Sequence, residues 1–451
     1  MSFLDYLLPR SRSAKQSKAR KQGPAQRNEP RIYSRDEHSV SRKDISENAL
    51  KVLYRLHKAG YKAFLVGGGV RDILLGIEPK DFDIATDAHP EEIRELFRNS
   101  RLIGRRFRLA HVRFGRDVIE VATFRAGHDG DADGASIADT GRILRDNVYG
   151  DIDDDVWRRD FTVNALYYNI ADYSVVDYVG GVEDIRARRL RLIGDPAQRY
   201  PEDPVRMLRA IRFAAKLDLE IDAATRKAFV DYGDQLDAIA PARLFDEALK
   251  MLHSGHGLAT FEALRESGLF VHLFPLAERS FAADETALAL VRESLRSTDE
   301  RVREGKPVTP AFIFAAILWG ALCARRDAFI DDGLSPGDAA REAADEVIAE
   351  QVRRVAIPRR YTTVSREIWG FQPRLANRTR KRALKLLEHP RFRAAYDFLV
   401  LRARAGEPLE DLAEWWTKLQ EVDGGQREQM LTTLREPPRK RPRSRRRRRP
   451  D

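Results

Sequence analysis

Apolar positions change period along this chain, and the change divides it. Residues 45–59, ISENALKVLYRLHKA, repeat at helical spacing and stop at Gly60, which predicts a helix. YKAFLVGGG predicts a buried strand running into a glycine turn, and VRDILLG a short helix stopped by Gly76. KDFDIAT predicts a second strand and HPEEIRELFRN a helix. LAHVRFG and DVIEVATFR predict paired strands around a Gly-Arg turn. Residues 126–155 are rich in Gly and Asp and predict an irregular loop. From Pro204 onward the pattern is helical, as in PVRMLRAIRFAAKL, PARLFDEALKMLHSG, AAREAADEVIAEQVRRV and LEDLAEWWTKLQEV. The expected class is α+β: a small mixed sheet with helices to about residue 190, then an all-helical second half. No fixed-period repeat is present, so a solenoid is not expected.

Length and charge refine this division. At 451 residues the chain exceeds one ordinary core. Cys323 is the only cysteine, which excludes a disulfide framework and any cysteine-rich zinc site and fits a cytoplasmic location. Its surroundings, FIFAAILWGALCA, form the longest apolar run, short for a bilayer crossing and better suited to a buried helix. The opening MSFLDYLLP lacks the layout of a secretion signal. The net charge of +10 lies in the ends. Residues 1–35 carry a net +7 and residues 439–451 a net +8, leaving −5 for the rest. Both ends are poor in apolar residues and are expected to be disordered cationic arms, suited to salt-sensitive attraction to RNA.

The chemistry concentrates where glycines meet acids. GGGVRD at 67–72 is followed by DFD at 81–83. Asp81 and Asp83, two apart on the expected strand KDFDIAT, would place both carboxylates on one face, an arrangement that suits a cation such as Mg²⁺. Gly67, Gly68 and Gly69 lead into a helix start whose N–H groups suit phosphate, and Arg71 adds positive charge. Glu120, an acid in the otherwise apolar strand DVIEVATF, and Asp160, in WRRDFTVNALYY, are candidates for a third carboxylate. In RYPEDPVRMLRAIRFAAKL, Asp203 precedes a helix on which Arg206, Arg209 and Arg212 recur every third residue. An Asp–Arg pair matches the edge of a purine, and cytosine offers a similar pattern, so the pair does not separate ATP from CTP. DGDADG at 129–134 lacks the glutamate of a calcium loop, and His128-Asp129 lacks the partners of a metallophosphohydrolase.

FLVGGGVRDILLG, KDFDIAT, EVATFR, RRDFTVNALYY and EDPVRMLRAIRFAAKL, in this order over roughly residues 50–275, resemble the motifs of class II nucleotidyltransferases. That family holds bacterial poly(A) polymerases and the enzymes that build the CCA end of tRNA. LIGRRFRLAHVRFG at 102–115, the segments IPRRYTTVSREIWGFQ and LLEHPRFRAAYDFLVLRA, and the Arg-rich end are similar to the polymerase branch.

The resemblance implies a nucleotidyltransferase head with a five-stranded sheet, followed by a helical neck and body. The expected divisions are a disordered arm at 1–44, a head at 45–190, a neck at 191–275, a body at 276–435 and a disordered tail at 436–451. It further implies AMP transfer from ATP to RNA 3′ ends, with a two-metal Mg²⁺ site (or Mn²⁺) held by Asp81 and Asp83. Asp81, Asp83, Glu120 and Asp160 would be the catalytic acids. Glu120 would match a carboxylate counted as a metal ligand in CCA-adding members, and Asp160 an acid that is catalytic in the polymerases and near the ribose in CCA-adding members. Gly68, Arg71 and Arg159 would lie at the triphosphate, and Asp203, Arg206, Arg209 and Arg212 at the base and nucleotide. Expected partners are ATP, RNA 3′ ends and RNA-decay or RNA-chaperone proteins. CTP/ATP addition to tRNA and a non-catalytic RNA-binding protein are the alternatives.

Overall fold

The structure is a computed structural model that describes residues 29–104, 108–126, 135–137, 143–146 and 148–434. The elements of the head are β1 (Arg31–Tyr33), α1 (Glu47–Lys58), β2 (Ala63–Val66), α2 (Gly68–Leu74), β3 (Asp83–Thr86), α3 (Pro90–Leu96), β4 (Ser100–Ile103), β5 (Leu109–Phe114) and β6 (Asp117–Thr123). β7 (Ala135–Ile137), β8 (Ile143–Asp146), α4 (Ile152–Arg158), β9 (Leu166–Asn169), β10 (Val175–Asp177) and α5 (Gly181–Arg186) complete it.

Eight strands form one sheet in the order β1-β10-β9-β2-β3-β6-β5-β4. All neighbours are antiparallel except β3 and β6, which run parallel. The sheet is larger than the five strands expected. One reason lies in the segment assigned to a disordered arm: within 1–44, Arg31–Tyr33 pair with β10, and Tyr33 is buried. Three residues of strand inside a basic stretch are too short to alter its overall polarity. Residues 126–155 also hold more order than expected, in the hairpin β7–β8 and the start of α4. DGDADG and the His128-Asp129 pair lie outside the described residues.

Strand alternation gives the sheet two apolar faces. Leu65, Ile84, Val121, Leu166 and Tyr168 face the main core with α1, whose Val52, Leu53 and Leu56 are buried. Phe64, Val66, Ala85, Phe124 and Tyr167 face a second, smaller core closed by Val156 of α4. Burying a large apolar side chain contributes about 1.5–3 kcal/mol, so both faces hold their helices firmly.

The neck begins with β11 (Arg189–Leu190), α6 (Pro196–Glu202), α7 (Val205–Leu217), β12 (Glu220–Ile221), α8 (Ala223–Tyr232) and α9 (Pro241–Leu252). β11 and β12 pair in parallel, stitching the end of the head to the far end of α7. The remainder is helical to Thr432. The long apolar run is buried but forms two helices, Pro310–Ile317 and Trp319–Asp331. Gly320, just after the break, packs so closely on Ser280 and Ala287 that a Cβ there would come within 2.7 Å of both. Among the described residues, no helix is long and apolar enough to cross a membrane.

Candidate active site

Register brings the acids together. Val66 pairs with Tyr167 on one side and with Asp83 on the other. Asp83 pairs in turn with Glu120, and Glu120 with His111. Tyr167, Val66, Asp83, Glu120 and His111 therefore form one row across five strands, with their side chains on a common face. Asp83 opens its strand, so it stands at the exposed end of β3, ahead of the buried Ile84, Ala85 and Thr86. Asp81 lies two residues ahead of β3, not within it. Its negative charge still acts on Asp83.

Asp83 keeps part of its surface open to solvent, while the surrounding protein desolvates its carboxyl. That enclosure, then the Glu120 charge and to a lesser degree Asp81, raise its carboxyl to about 6, against a smaller opposing pull from Arg159. Glu120 Oε1 sits 3.1 Å from His111 Nε2. Asp83 thus resists carrying its charge unless a cation offsets its neighbours, the behaviour expected of a carboxylate that holds a divalent ion. Among the described residues, no group of three or more His, Cys, Asp and Glu side chains forms a metal cage. Mg²⁺ is commonly held by one or two carboxylates with water and substrate phosphate supplying the rest. The residues present fit that ion.

Above the row is the glycine turn. Gly67 has φ +63°, a left-handed conformation for which glycine is suited, and its Cβ position lies 3.3 Å from Arg159 Nη1. Arg159 is fixed by donating to Asp155 Oδ2 at 3.0 Å, to the Tyr167 hydroxyl at 2.7 Å and to the Asn164 carbonyl at 3.2 Å. Burial opposes its charge, but Tyr167 and Asp155 outweigh burial and raise its pKa. Burial likewise pushes the Tyr167 hydroxyl well above its ordinary value. Gly68 opens α2, and its Cβ position is 3.5 Å from Arg71 Nη2. Arg71 is buried, paired with Asp72 at 2.6 Å and bonded to Asn164 Oδ1 at 2.6 Å.

Asp160 does not join the acid row. It is buried and accepts from Arg209, Asn164 and the Phe161 amide. Burial raises its pKa, but Arg209 and these hydrogen bonds prevail and hold it at about 2.

The three neck arginines diverge. Each step of three residues falls about 60° short of a full helical turn, so the stripe winds around α7. Arg206 is buried and bonds to Glu202 Oε2 at 2.6 Å and to the Arg199 carbonyl at 2.8 Å. Arg209 reaches the head at Asp160, and Arg212 approaches Glu247 at 3.5 Å. Burial lowers the Arg212 pKa. Asp203 accepts from the Val205 amide at 3.3 Å, near the start of α7, and pairs with Arg243 at 2.7 Å.

Sequence inspection did not single out Asn164, Tyr167, Asp155, His111 or Lys216. Tyr167 and His111 are revealed only by register. Lys216 has its pKa lowered by burial, with Asp72, Arg71, Lys80 and Arg212 among its electrostatic neighbours. Its position seven residues after Arg209, on the same helical face, was the available cue. Arg105–Phe107, within the 102–115 segment, lie outside the described residues.

A carboxylate row at the end of a sheet, a glycine turn above it and an arginine-bearing helix beside it define a nucleotidyltransferase. Residues 63–191 match the poly A polymerase head domain, residues 218–281 the probable RNA and SrmB-binding site of polymerase A, and residues 332–450 the polymerase A arginine-rich C-terminus. The chain is 50% identical over 427 residues to poly(A) polymerase I of Salmonella typhimurium, covering 92% of each chain. It belongs to the poly(A) polymerase I family and is an enzyme. A CCA-adding enzyme of Lactobacillus helveticus is 35% identical, over 50% of this chain and 55% of that one. In fold, the chain is similar to the Bacillus stearothermophilus CCA-adding enzyme in complex with CTP, with TM-score 0.55 and 24% identity over 86% of this chain and 88% of that one.

Proposed function

We propose that this enzyme adds AMP from ATP to RNA 3′ ends without a template, in cytoplasmic RNA 3′ processing and turnover. The RNA 3′-hydroxyl attacks the α-phosphate of ATP, the new phosphodiester forms, and pyrophosphate leaves. The observation that carries this reading is the pairing of Asp83 with Glu120 at the foot of the glycine turn. Asp81 and Asp83 would hold Mg²⁺ (or Mn²⁺), and a pair of such ions supplies charge stabilisation at the attacking and leaving oxygens. Glu120 stands beside Asp83 as the further carboxylate. The Gly68 backbone, Arg71 and Arg159 bound the space proposed for the triphosphate. Asp160 acts by holding Arg209, and α7 supplies the base-binding side with Asp203 and Arg212. Arg206 contributes from within, by anchoring α6 to α7 through Glu202.

The choice of ATP is supported by the near full-length likeness to a poly(A) polymerase, whereas sequence likeness to the CCA-adding enzyme of Lactobacillus helveticus spans half the chain. The partners that follow are ATP, RNA 3′ ends and RNA-decay or RNA-chaperone proteins. The deciding experiment supplies purified full chain with a non-tRNA oligoribonucleotide, Mg²⁺ and each nucleoside triphosphate separately. Long tails with ATP alone are expected. Short, CTP-dependent addition confined to tRNA would establish CCA addition instead, and no incorporation would leave RNA binding as the function.

A further inference from the structure

A buried polar chain crosses from the glycine-turn helix to the neck, and its central member is Asn164. Arg71 donates to Asp72 Oδ1 through Nε at 2.8 Å and to Asn164 Oδ1 through Nη1 at 2.6 Å. Asn164 Nδ2 donates to Asp160 Oδ1 at 3.0 Å, and Arg209 Nε donates to Asp160 Oδ2 at 2.7 Å. The orientation of the amide is dictated chemically. Arginine only donates and an ionised carboxylate only accepts, so Asn164 must turn its oxygen to Arg71 and its nitrogen to Asp160. Asn164 is 7% exposed, so water does not readily replace either bond. The ring of Phe213 supports both ends, with the Arg71 guanidinium carbon 5.0 Å and that of Arg209 5.2 Å from its centroid.

We propose that Asn164 is a positioning residue that locks Arg71 and Arg209 into one geometry, so that triphosphate and base are bound jointly. This rests on the nucleotide-binding assignment above. An aspartate at this position keeps the acceptor for Arg71 but faces Asp160 with a second carboxylate. An alanine removes both bonds and leaves two buried charged groups short of a partner.

Binding of two probes to the full chain tests this: ATP and inorganic tripolyphosphate, each with Mg²⁺, with thermal melts confirming that every variant is folded. Asn164→Ala is expected to weaken both probes about tenfold. Asn164→Asp is expected to weaken ATP while sparing tripolyphosphate, and it serves alone if the alanine variant does not fold. Arg209→Lys is expected to weaken ATP about tenfold in the parent but to add less than about threefold to Asn164→Ala, because coupled residues are non-additive. Losses that multiply, or tripolyphosphate binding untouched by Asn164→Ala, overturn the proposal. A parent that binds both probes yet adds no AMP to RNA overturns the proposed function while the cycle still decides the role of Asn164. A parent that binds neither probe overturns both.

Discussion

Arg209 donates through Nε to Asp160 Oδ2 at 2.7 Å, with Nη2 ion-paired 2.5 Å from the same oxygen, while the other oxygen takes the Phe161 amide and Asn164. One carboxylate therefore joins the neck helix α7 to the head.

That pairing has an acid signature. Asp160 is held at about 2, below the ordinary value of 3.8, so its stabilisation is fully present above about pH 4 and is lost as pH falls through 2. Asp160→Asn is expected to cost about 2 kcal/mol at pH 7. Chemical denaturation at pH 7, 4 and 3 should show the gap from the parent narrowing with acid. A gap independent of pH would refute the ion pair as its source.

Asp83 shows the opposite shift. Because its carboxyl is raised to about 6, the metal-free chain is destabilised as pH rises from about 4 through 6. Asp83→Asn is expected to raise the melting temperature of the metal-free chain at pH 7.5, to leave it unchanged at pH 3.5, and to reduce incorporation at least about a hundredfold. Glu120→Gln removes a neighbouring charge, so the acidic limb of the pH–rate profile should move to lower pH even as the maximal rate falls. A limb that stays in place would separate Glu120 from Asp83.

Gly67 is the third test. An alanine there must adopt φ +63° with its Cβ 3.3 Å from Arg159 Nη1. Gly67→Ala is expected to cost about 1–2 kcal/mol of stability and to raise the KM for ATP more than it lowers kcat. Thermal melts and steady-state kinetics together check this, and unchanged values for both would show that the turn tolerates a side chain.

The fold class was legible because periodicity is a local property; short-range spacing picked out Asp81 and Asp83, but not that the strand begins only at Asp83. Glu120 stood out as an acid in an apolar strand. Its place beside Asp83 was not legible, since a parallel pairing between strands more than thirty residues apart depends on register. Asn164 lies inside a motif recognised by resemblance, yet its role depends on Arg71 and Asp160 approaching from opposite sides. The arginines of α7 looked like one stripe because spacing by three almost completes a turn. Their three partners, Glu202, Asp160 and Glu247, are set by the packing of α6, the head and α9 around that helix. β1 escaped notice because the composition of a basic arm averages away a three-residue strand.

The short parallel ladder of β11 with β12 bears on how such enzymes exchange parts. A hybrid joined near residue 190 would separate Arg189 and Leu190 from their own partners Glu220 and Ile221 and make the ladder depend on the other parent's segment. A junction placed after Ile221 carries the ladder, α7 and the Asp160–Arg209 contact across intact. Recombination between polymerase-like and CCA-like members, in the laboratory or in evolution, is therefore expected to respect that later seam.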